Sequence, residues 1–202
     1  IEVFADWKRI EGPREAPRVN GRLRGLMIAS VQTFVDDVVP LIERHGYPCR
    51  DAANNRCVWM QHQWKVLLAT DDHLSVRDTV RRLLPGASAV ESEVRAETFD
   101  LSTGLPLRIG DLFDPETGWL GALSAAAVER LADQPWTDER RVEGAGPESE
   151  NFSRFNLTPG GLVLAFAPGS IGGSGSHTVS ITIPYRILDG YWQPGGPVSL
   201  LD

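Results

Sequence analysis

Strict alternation of apolar and polar side chains is the feature that most constrains this fold. In "VWMQHQWKVLLAT" (58–70) one side of the alternation carries Val58, Met60, His62, Trp64, Val66 and Leu68. A period of two residues predicts a long β-strand with one buried face. His62 falls on the apolar side, so we expect a hydrogen-bonded core histidine there.

Two further segments continue the alternation after short turns. "LSVRDTVRRLLPG" (74–86) and "VESEVRAETFDL" (90–101) predict two more strands, the first an antiparallel neighbour of the strand before it. The second segment places Glu91, Glu93 and Glu97 on one side of its strand, together with Arg95. We therefore predict a mostly acidic stripe on one side of the sheet.

Helical spacing appears twice. From Asn20, a candidate N-cap, "GRLRGLMIASVQTFVDDVVPLIERHG" predicts a helix over 20–46 that Pro40 kinks or ends. Asp114 and Pro115 predict the start of a second helix, over 114–133. Both are expected to lie on a sheet.

The last strand signals are "LVLAFA" and "TVSITIPY", which predict a C-terminal hairpin within 155–188. Strands outnumber helices and no regular βαβ alternation occurs. The chain of 202 residues is therefore predicted to be one α+β domain, an antiparallel sheet packed against two main helices. Residues 1–19 are expected to form an N-terminal arm, and 57–101 the main strand region.

Charge and hydropathy limit the partners. The formal net charge of −7 argues against nucleic acid and favours a basic partner. Lys8 and Lys65 are the only lysines, and the arginine-rich composition suggests a GC-rich, actinobacterial genome. No uninterrupted apolar run approaches the roughly 20 residues of a membrane span, so no transmembrane segment is predicted. A chain that begins at Ile1 leaves open an export signal removed earlier.

The two cysteines, Cys49 and Cys57, flank a short polar turn. Their proximity favours a local disulfide and therefore an oxidising compartment, whereas two unpaired cytosolic thiols are the alternative. Their spacing does not match a zinc site. We predict a secreted or cell-envelope protein.

The run "GSIGGSGSH" (169–177) raises the question of catalysis. It lacks the lysine of a phosphate-binding loop, and a strand follows where such a loop requires a helix. A serine hydrolase could use Ser174 or Ser176 with His177, but the nucleophile motif is incomplete. A flexible connector between two strands is the preferred interpretation.

Other chemistry-bearing residues give weak signals. Asp71, Asp72 and His73 fit a solvated turn better than a metal site, and neither a metal nor a cofactor is predicted. Several tryptophans could line a carbohydrate or peptide groove, although packing is the more common use of this residue. They are Trp59, Trp64, Trp119, Trp136 and Trp192.

The order of segments resembles a known family. "FDLSTGLPLRIGDLF" (99–113), a helix, and then "FNLTPGGLVLAFAPGSIGGSGSHTVSITIPYRIL" (155–188) resemble the C-terminal domain of RsiV-type anti-sigma proteins. The same domain occurs in secreted mycobacterial immunogenic proteins and in the amino-terminal part of some peptidoglycan deacetylases. The matching positions are Phe99, Asp100, Leu101, Thr103, Gly104, Asp111, Leu112, Phe113, Phe155, Gly160, Gly161, Phe166, Ile183, Pro184 and Tyr185.

The resemblance implies an exported, envelope-associated domain without an established catalytic centre. In the RsiV branch the domain binds lysozyme, a basic protein, which agrees with the acidic charge. We therefore predict a secreted non-catalytic binding domain for a protein, possibly lysozyme, or for an envelope glycan; the alternative is a secreted serine hydrolase or esterase. The predicted binding residues are Glu91, Glu93, Glu97, Trp136, Ser170, Ser174 and His177.

Overall fold

A computed structural model describes residues 1–6, 9–45, 58–87, 89–133, 144–171 and 178–201. A sheet of five strands and a sheet of three strands combine with two long helices, which confirms the α+β class. The strands are β1 (Glu2–Ala5), β2 (Trp59–Ala69), β3 (His73–Leu83), β4 (Glu91–Asp100), β5 (Leu105–Pro106), β6 (Phe155–Thr158), β7 (Gly161–Phe166) and β8 (Val179–Ile183), and the helices are α1 (Ala16–His45) and α2 (Trp119–Ala132).

The first sheet has the order β1-β2-β3-β4-β5 and the second the order β6-β7-β8. Every pairing is antiparallel except that of β1 with β2, which is parallel. The first sheet is therefore mixed: the predicted antiparallel arrangement holds for β2 to β5 and does not extend to β1.

A β-bulge interrupts the alternation of β2. The register with β3 shifts between Val66 and Leu68, so that Val66 lies opposite Val76 but Leu68 lies opposite Ser75. An extra residue in one strand turns the following side chains to the other face. Leu68 therefore joins the core on the opposite side of the sheet, where the unbroken alternation did not place it.

Helix α1 packs on one face of the first sheet through two apolar clusters. Its first half contributes Val19 and Leu23 to a cluster with Leu74, Val76, Phe99 and Leu101. Its second half contributes Phe34 and Val38 to a cluster with Val58, Met60 and Val80. Val19 and Leu23 are four residues apart, as are Phe34 and Val38, and the eleven residues from Leu23 to Phe34 make about three helical turns, so all four lie on one face of the helix.

The predicted start of α1 needs correction, whereas its last described residue, His45, agrees with the predicted end at residue 46. The helix begins at Ala16, and Pro40 lies within it. Asn20 does not cap it: its Oδ1 accepts a hydrogen bond from the Ile10 backbone N–H, and its Nδ2 donates to the Ile10 carbonyl, both at 2.9 Å. The side chain therefore anchors the N-terminal arm to the helix.

By length and composition, residues Ala16–Arg44 of α1 could cross a membrane, a possibility that a search for uninterrupted apolar runs overlooked. Buried core helices and signal sequences satisfy the same criterion, so it is weak evidence for a span. Only 17% of the most apolar window is buried, and the positions that pack on the sheet belong to the two apolar clusters.

Helix α2 and the second sheet share the largest core cluster. Leu123, Ala127 and Leu131 of α2 are fully buried there with residues from β6, β7 and β8. The predicted helix start at Asp114 and Pro115 is wrong. Asp114 instead forms a turn in which its Oδ1 accepts from the Glu116 N–H at 2.9 Å.

A buried polar network joins the two sheets. Asn156 of β6 donates from Nδ2 to Ser75 Oγ at 3.0 Å and to the Val76 carbonyl at 2.9 Å. Ser75 Oγ also accepts from the Leu157 N–H at 3.1 Å and lies 2.9 Å from Thr98 Oγ1. Buried amides need such partners, so these bonds fix the position of β6 on the first sheet.

Candidate functional site

One concave surface in the described part of the chain is an open groove of about 970 Å³, here named the Trp119 groove. It lies between the edge of β4, residues 105–111, the start of α2 and residues 149–155. Its charged and aromatic lining consists of Arg22, Glu97, Arg108, Asp111, Glu150, Trp119 and Phe155. Of these seven, Glu97 was a predicted binding residue and Trp119 a candidate groove residue, whereas Asp111 and Phe155 were named only as positions of the family resemblance.

Stacked aromatic rings fix the indole of Trp119. Its ring lies 4.6 Å from the ring of Phe113, centroid to centroid, with the planes 5° apart. Trp192 stacks on Phe113 as well, at 4.7 Å, and its Nε1 donates to the Tyr185 carbonyl at 3.1 Å. Because Phe113 is fully buried, the stack gives the groove a rigid aromatic wall.

The carboxylates of the groove are already engaged. Glu97 Oε1 lies 3.2 Å from the Arg22 guanidinium, and Asp111 Oδ2 accepts from the Arg108 backbone N–H at 2.7 Å. Glu150 accepts from the Ser149 hydroxyl at 3.2 Å. Three carboxylates and two guanidinium groups line the groove, so its local charge is close to balance.

Backbone groups of β4 also face the groove. In an antiparallel pair, alternate residues direct both their N–H and their C=O away from the neighbouring strand. Val94 N–H bonds to Thr178 Oγ1 at 3.1 Å, and the Thr98 carbonyl accepts from Leu107 N–H at 2.7 Å, so both residues face outward. Ala96 lies midway between them and lines the groove.

The three glutamates of the predicted stripe lie on the α1 side of β4, opposite Arg82, Val80 and Val76 of β3. Each of them has an arginine neighbour. Glu91 contacts Arg82 at 2.9 Å, Glu93 lies 3.8 Å from both Arg95 and Arg154, and Glu97 pairs with Arg22. Three of these arginines come from other parts of the chain, which a count along β4 could not reveal. The surface is therefore charge-alternating.

Gly144 and Ser170 lie together; they flank the segments that carry the predicted binding residues Trp136, Ser174 and His177. A Cβ on Gly144 would lie 2.3 Å from the Ser170 carbonyl oxygen, so the two backbones touch. Ser170 is half-buried, and its hydroxyl donates to the Ala167 carbonyl at 2.9 Å. Five predicted residues lie outside the described residues: Trp136, Ser174, Ser176, His177 and the disulfide candidate Cys49; so does its partner Cys57.

The side chains of His62 and His73 are buried. His62 is buried and bonded to Asp78, as its position in the alternation predicted. His73 is buried at the start of β3, where its backbone N–H donates to Thr70 Oγ1 at 2.9 Å. Burial lowers the pKa of His73 below its ordinary value, while Asp100 and Asp72 oppose that shift. Within the described ranges no three histidine, cysteine or carboxylate side chains converge as a metal site would require.

Comparison with known proteins identifies the fold but not an activity. Residues 110–186 match the family model DUF3298, described as a protein of unknown function. No curated protein matches the sequence. The matched segment includes Asp111, Trp119 and Glu150 of the groove.

Two solved structures are similar to most of the fold. A DUF3298 family member from Bacteroides fragilis NCTC 9343 is 16% identical with a TM-score of 0.58, and the match covers 91% of this chain and 71% of that chain. A DUF3298 family protein from Pseudomonas aeruginosa PAO1 is 16% identical with a TM-score of 0.50, covering 68% of this chain and 63% of that chain. The chain thus shares its fold with solved DUF3298 proteins, and its residues 110–186 carry the sequence pattern of that family.

Proposed function

We propose that this chain is a non-catalytic recognition domain of the cell envelope or extracellular space, and that the Trp119 groove binds an envelope glycan. The observation that carries the proposal is the groove itself. It is open, lined by side chains of mixed polarity and walled by a stacked tryptophan. Such a surface suits an extended polar ligand better than a small molecule, which proteins usually enclose in a largely apolar pocket.

The groove offers little for catalysis. Its described lining contains no histidine, cysteine or lysine that could activate a hydroxyl group or act as a nucleophile. Its carboxylates accept hydrogen bonds or pair with arginine. The rival hypothesis, a serine hydrolase or esterase, depends on Ser174, Ser176 and His177, which lie outside the described residues.

Charge favours a glycan over a basic protein as the ligand. Electrostatic attraction of a lysozyme needs an uncompensated acidic surface, whereas each glutamate of the predicted stripe has an arginine within 4 Å. The net charge of −7 and the resemblance to the RsiV-type domain support lysozyme as the second candidate ligand. We also propose that the chain is exported and that Cys49 and Cys57 form a disulfide.

Sedimentation with insoluble cell-wall glycan tests the proposal. The chain should sediment with purified peptidoglycan sacculi, and Trp119→Ala should lower the bound fraction at least tenfold. Trp59→Ala is the matched control, because Trp59 lies on β2 outside the groove. Circular dichroism and the melting temperature must show that both variants are folded. Equal retention of Trp119→Ala and the unmodified chain would disprove binding through the groove.

The rival functions have their own readouts. Salt-sensitive capture of hen lysozyme, unchanged in Trp119→Ala, would assign recognition to a different surface and to a protein ligand. Turnover of p-nitrophenyl esters that disappears in Ser174→Ala, Ser176→Ala or His177→Ala would establish a hydrolase. Either result would overturn the glycan proposal if sacculi are not bound.

A further inference from the structure

We propose that a second cavity, separate from the Trp119 groove, binds a fatty acid. This cavity, here named the Val66 pocket, has a volume of about 470 Å³ and lies between the N-terminal arm, α1 and the first sheet. Its apolar walls are Ile10, Leu23, Trp64, Val66 and Val76. Its size and its mainly apolar walls are those of a ligand-binding cavity. The inference does not depend on the proposed glycan function.

The positive charges of the pocket select the headgroup of the ligand. Arg9 and Lys65 line the pocket, and no aspartate or glutamate is found among its described lining residues. Within the described ranges, neither cation lies within 4 Å of a carboxylate. The chain as a whole carries a net charge of −7, so these two unpaired cations are a local exception. They favour an anionic ligand, and a carboxylate fits the forked donors of an arginine.

Burial separates the apolar part of the pocket from its charged part. Leu23 and Val76 are 3% and 4% exposed, and both belong to the apolar cluster beneath the first half of α1. Arg9 and Lys65 are exposed. The pocket therefore has an apolar interior and a positively charged rim. A hydrocarbon chain with a single anionic headgroup requires this distribution, because its chain leaves water while its charge stays at the surface.

One apolar wall of the pocket is only half covered by the chain itself. Val76 is buried, whereas Val66, which lies opposite it on the neighbouring strand, is 49% exposed. The arm cannot slide over Val66 freely, because Asn20 bonds to both the N–H and the carbonyl of Ile10 at 2.9 Å. An acyl chain in the pocket would remove the exposed part of Val66 from water, which is favourable in proportion to the apolar area covered.

Isothermal titration calorimetry of the full chain with amphiphiles of one chain length tests the proposal. The probes are decanoate, decanol, decyltrimethylammonium and decyl phosphate, each below its critical micelle concentration. Decanoate should bind about tenfold more tightly than decanol, because the carboxylate accepts charge-assisted hydrogen bonds from Arg9 and Lys65. Decyltrimethylammonium should bind more weakly than decanol, because the two cations repel it.

A substitution in the apolar wall locates the site. Val66→Asp places a negative charge beside the acyl chain and should weaken decanoate binding about tenfold or more. Ile28→Asp is the matched control, since Ile28 is 51% exposed on α1 and does not line the pocket. It should leave the affinity for decanoate within about twofold, as expected for a surface position outside the site. Circular dichroism must show that both variants are folded.

Neutralising the rim tests the headgroup contact. Arg9→Gln/Lys65→Gln should lower the affinity for decanoate to that for decanol and leave the affinity for decanol unchanged. Arg44→Gln/Arg186→Gln changes the net charge equally at two exposed arginines outside the pocket, and should leave both affinities unchanged. The comparison separates a local contact from the general effect of net charge on an anionic ligand, which salt screens.

Several results would overturn the proposal. Equal affinity for decanoate and decanol would remove the role of the charged rim, and unchanged decanoate binding in Val66→Asp would place the ligand elsewhere. Tighter binding of decyl phosphate than of decanoate would assign the rim to a phosphate headgroup instead of a fatty acid. A chain that sediments with sacculi but binds none of the four probes would refute the fatty-acid site and leave the glycan proposal standing.

Discussion

Nδ1 of His62 lies 2.7 Å from Oδ2 of Asp78, and the two side chains are 0% and 1% exposed. The pair lies beneath α1, between the two apolar clusters that hold this helix on the sheet. His62 Nε2, Asp78 Oδ1 and Ser30 Oγ of α1 are buried there without a partner among the described residues. A polar pair thus separates the two apolar clusters under α1, and each of its two side chains has one atom without a hydrogen-bond partner among the described residues.

Replacing one member of this pair should lower the free energy of unfolding more than replacing both members. His62→Leu or Asp78→Leu alone leaves one polar group buried without its partner, and each should lower the free energy of unfolding by about 3–5 kcal/mol. The double variant His62→Leu/Asp78→Leu should recover most of that loss, because the partnerless group is gone. Urea denaturation of the four proteins measures the coupling, and additive losses would contradict it.

Asn156 should be a second sensitive position. Asn156→Ala leaves the Val76 carbonyl and Ser75 hydroxyl without their amide partner, and should lower the free energy of unfolding by about 2–3 kcal/mol. Thr33→Ala, on the exposed side of α1, is the control and should change it by less than about 0.5 kcal/mol. A loss at Asn156 no larger than that at Thr33 would show that the two sheets are held by apolar packing alone.

Sequence periodicity predicted the strands β2, β3 and β4 because each has one apolar and one polar side. The apolar run from Val66 to Leu68 interrupts the alternation, but three apolar residues in a row do not by themselves show that the register with the neighbouring strand shifts there. Nor could periodicity predict that Asn20 anchors the arm, because a polar residue before a helix is normally read as its cap.

Less of the candidate site than of the strands could be predicted from the sequence. Its features join residues that are far apart in the chain, such as Phe113 with Trp192 and Arg22 with Glu97. Local patterns report which side of an element is buried, but not which distant charge or ring meets it.

Gly144 should not tolerate a side chain. A Cβ there would lie 2.3 Å from the Ser170 carbonyl oxygen, so Gly144→Ala must displace the backbone at Gly144 or Ser170. Gly121→Ala is the matched control, since Gly121 lies within α2 with nothing within 4 Å of the added Cβ. We expect a lower melting temperature for Gly144→Ala and, because alanine favours helix by about 1 kcal/mol, a higher one for Gly121→Ala. Equal melting temperatures would mean that the backbone at Gly144 and Ser170 can move apart without loss of stability.

His73 should make stability depend on pH. Burial lowers its pKa in the folded chain below 6.5, against the opposing charges of Asp100 and Asp72. When the pH falls below 6.5 the unfolded chain therefore binds a proton that the folded chain resists, and the free energy of unfolding decreases. The contribution of His73 is fully present above pH 6.5 and is lost as the pH falls through the folded pKa.

Urea denaturation between pH 5 and pH 8 measures this effect. The difference in the free energy of unfolding between the unmodified chain and His73→Gln should shrink as the pH falls, because the substituted chain lacks this titration. Other titrating groups are common to both proteins and cancel in the difference. Asp100 has a lowered pKa: burial acts to raise it, but hydrogen bonds from Ser102 and Thr103 outweigh that, so its titration lies below the chosen range. A difference that stays constant across the range would contradict a buried neutral His73.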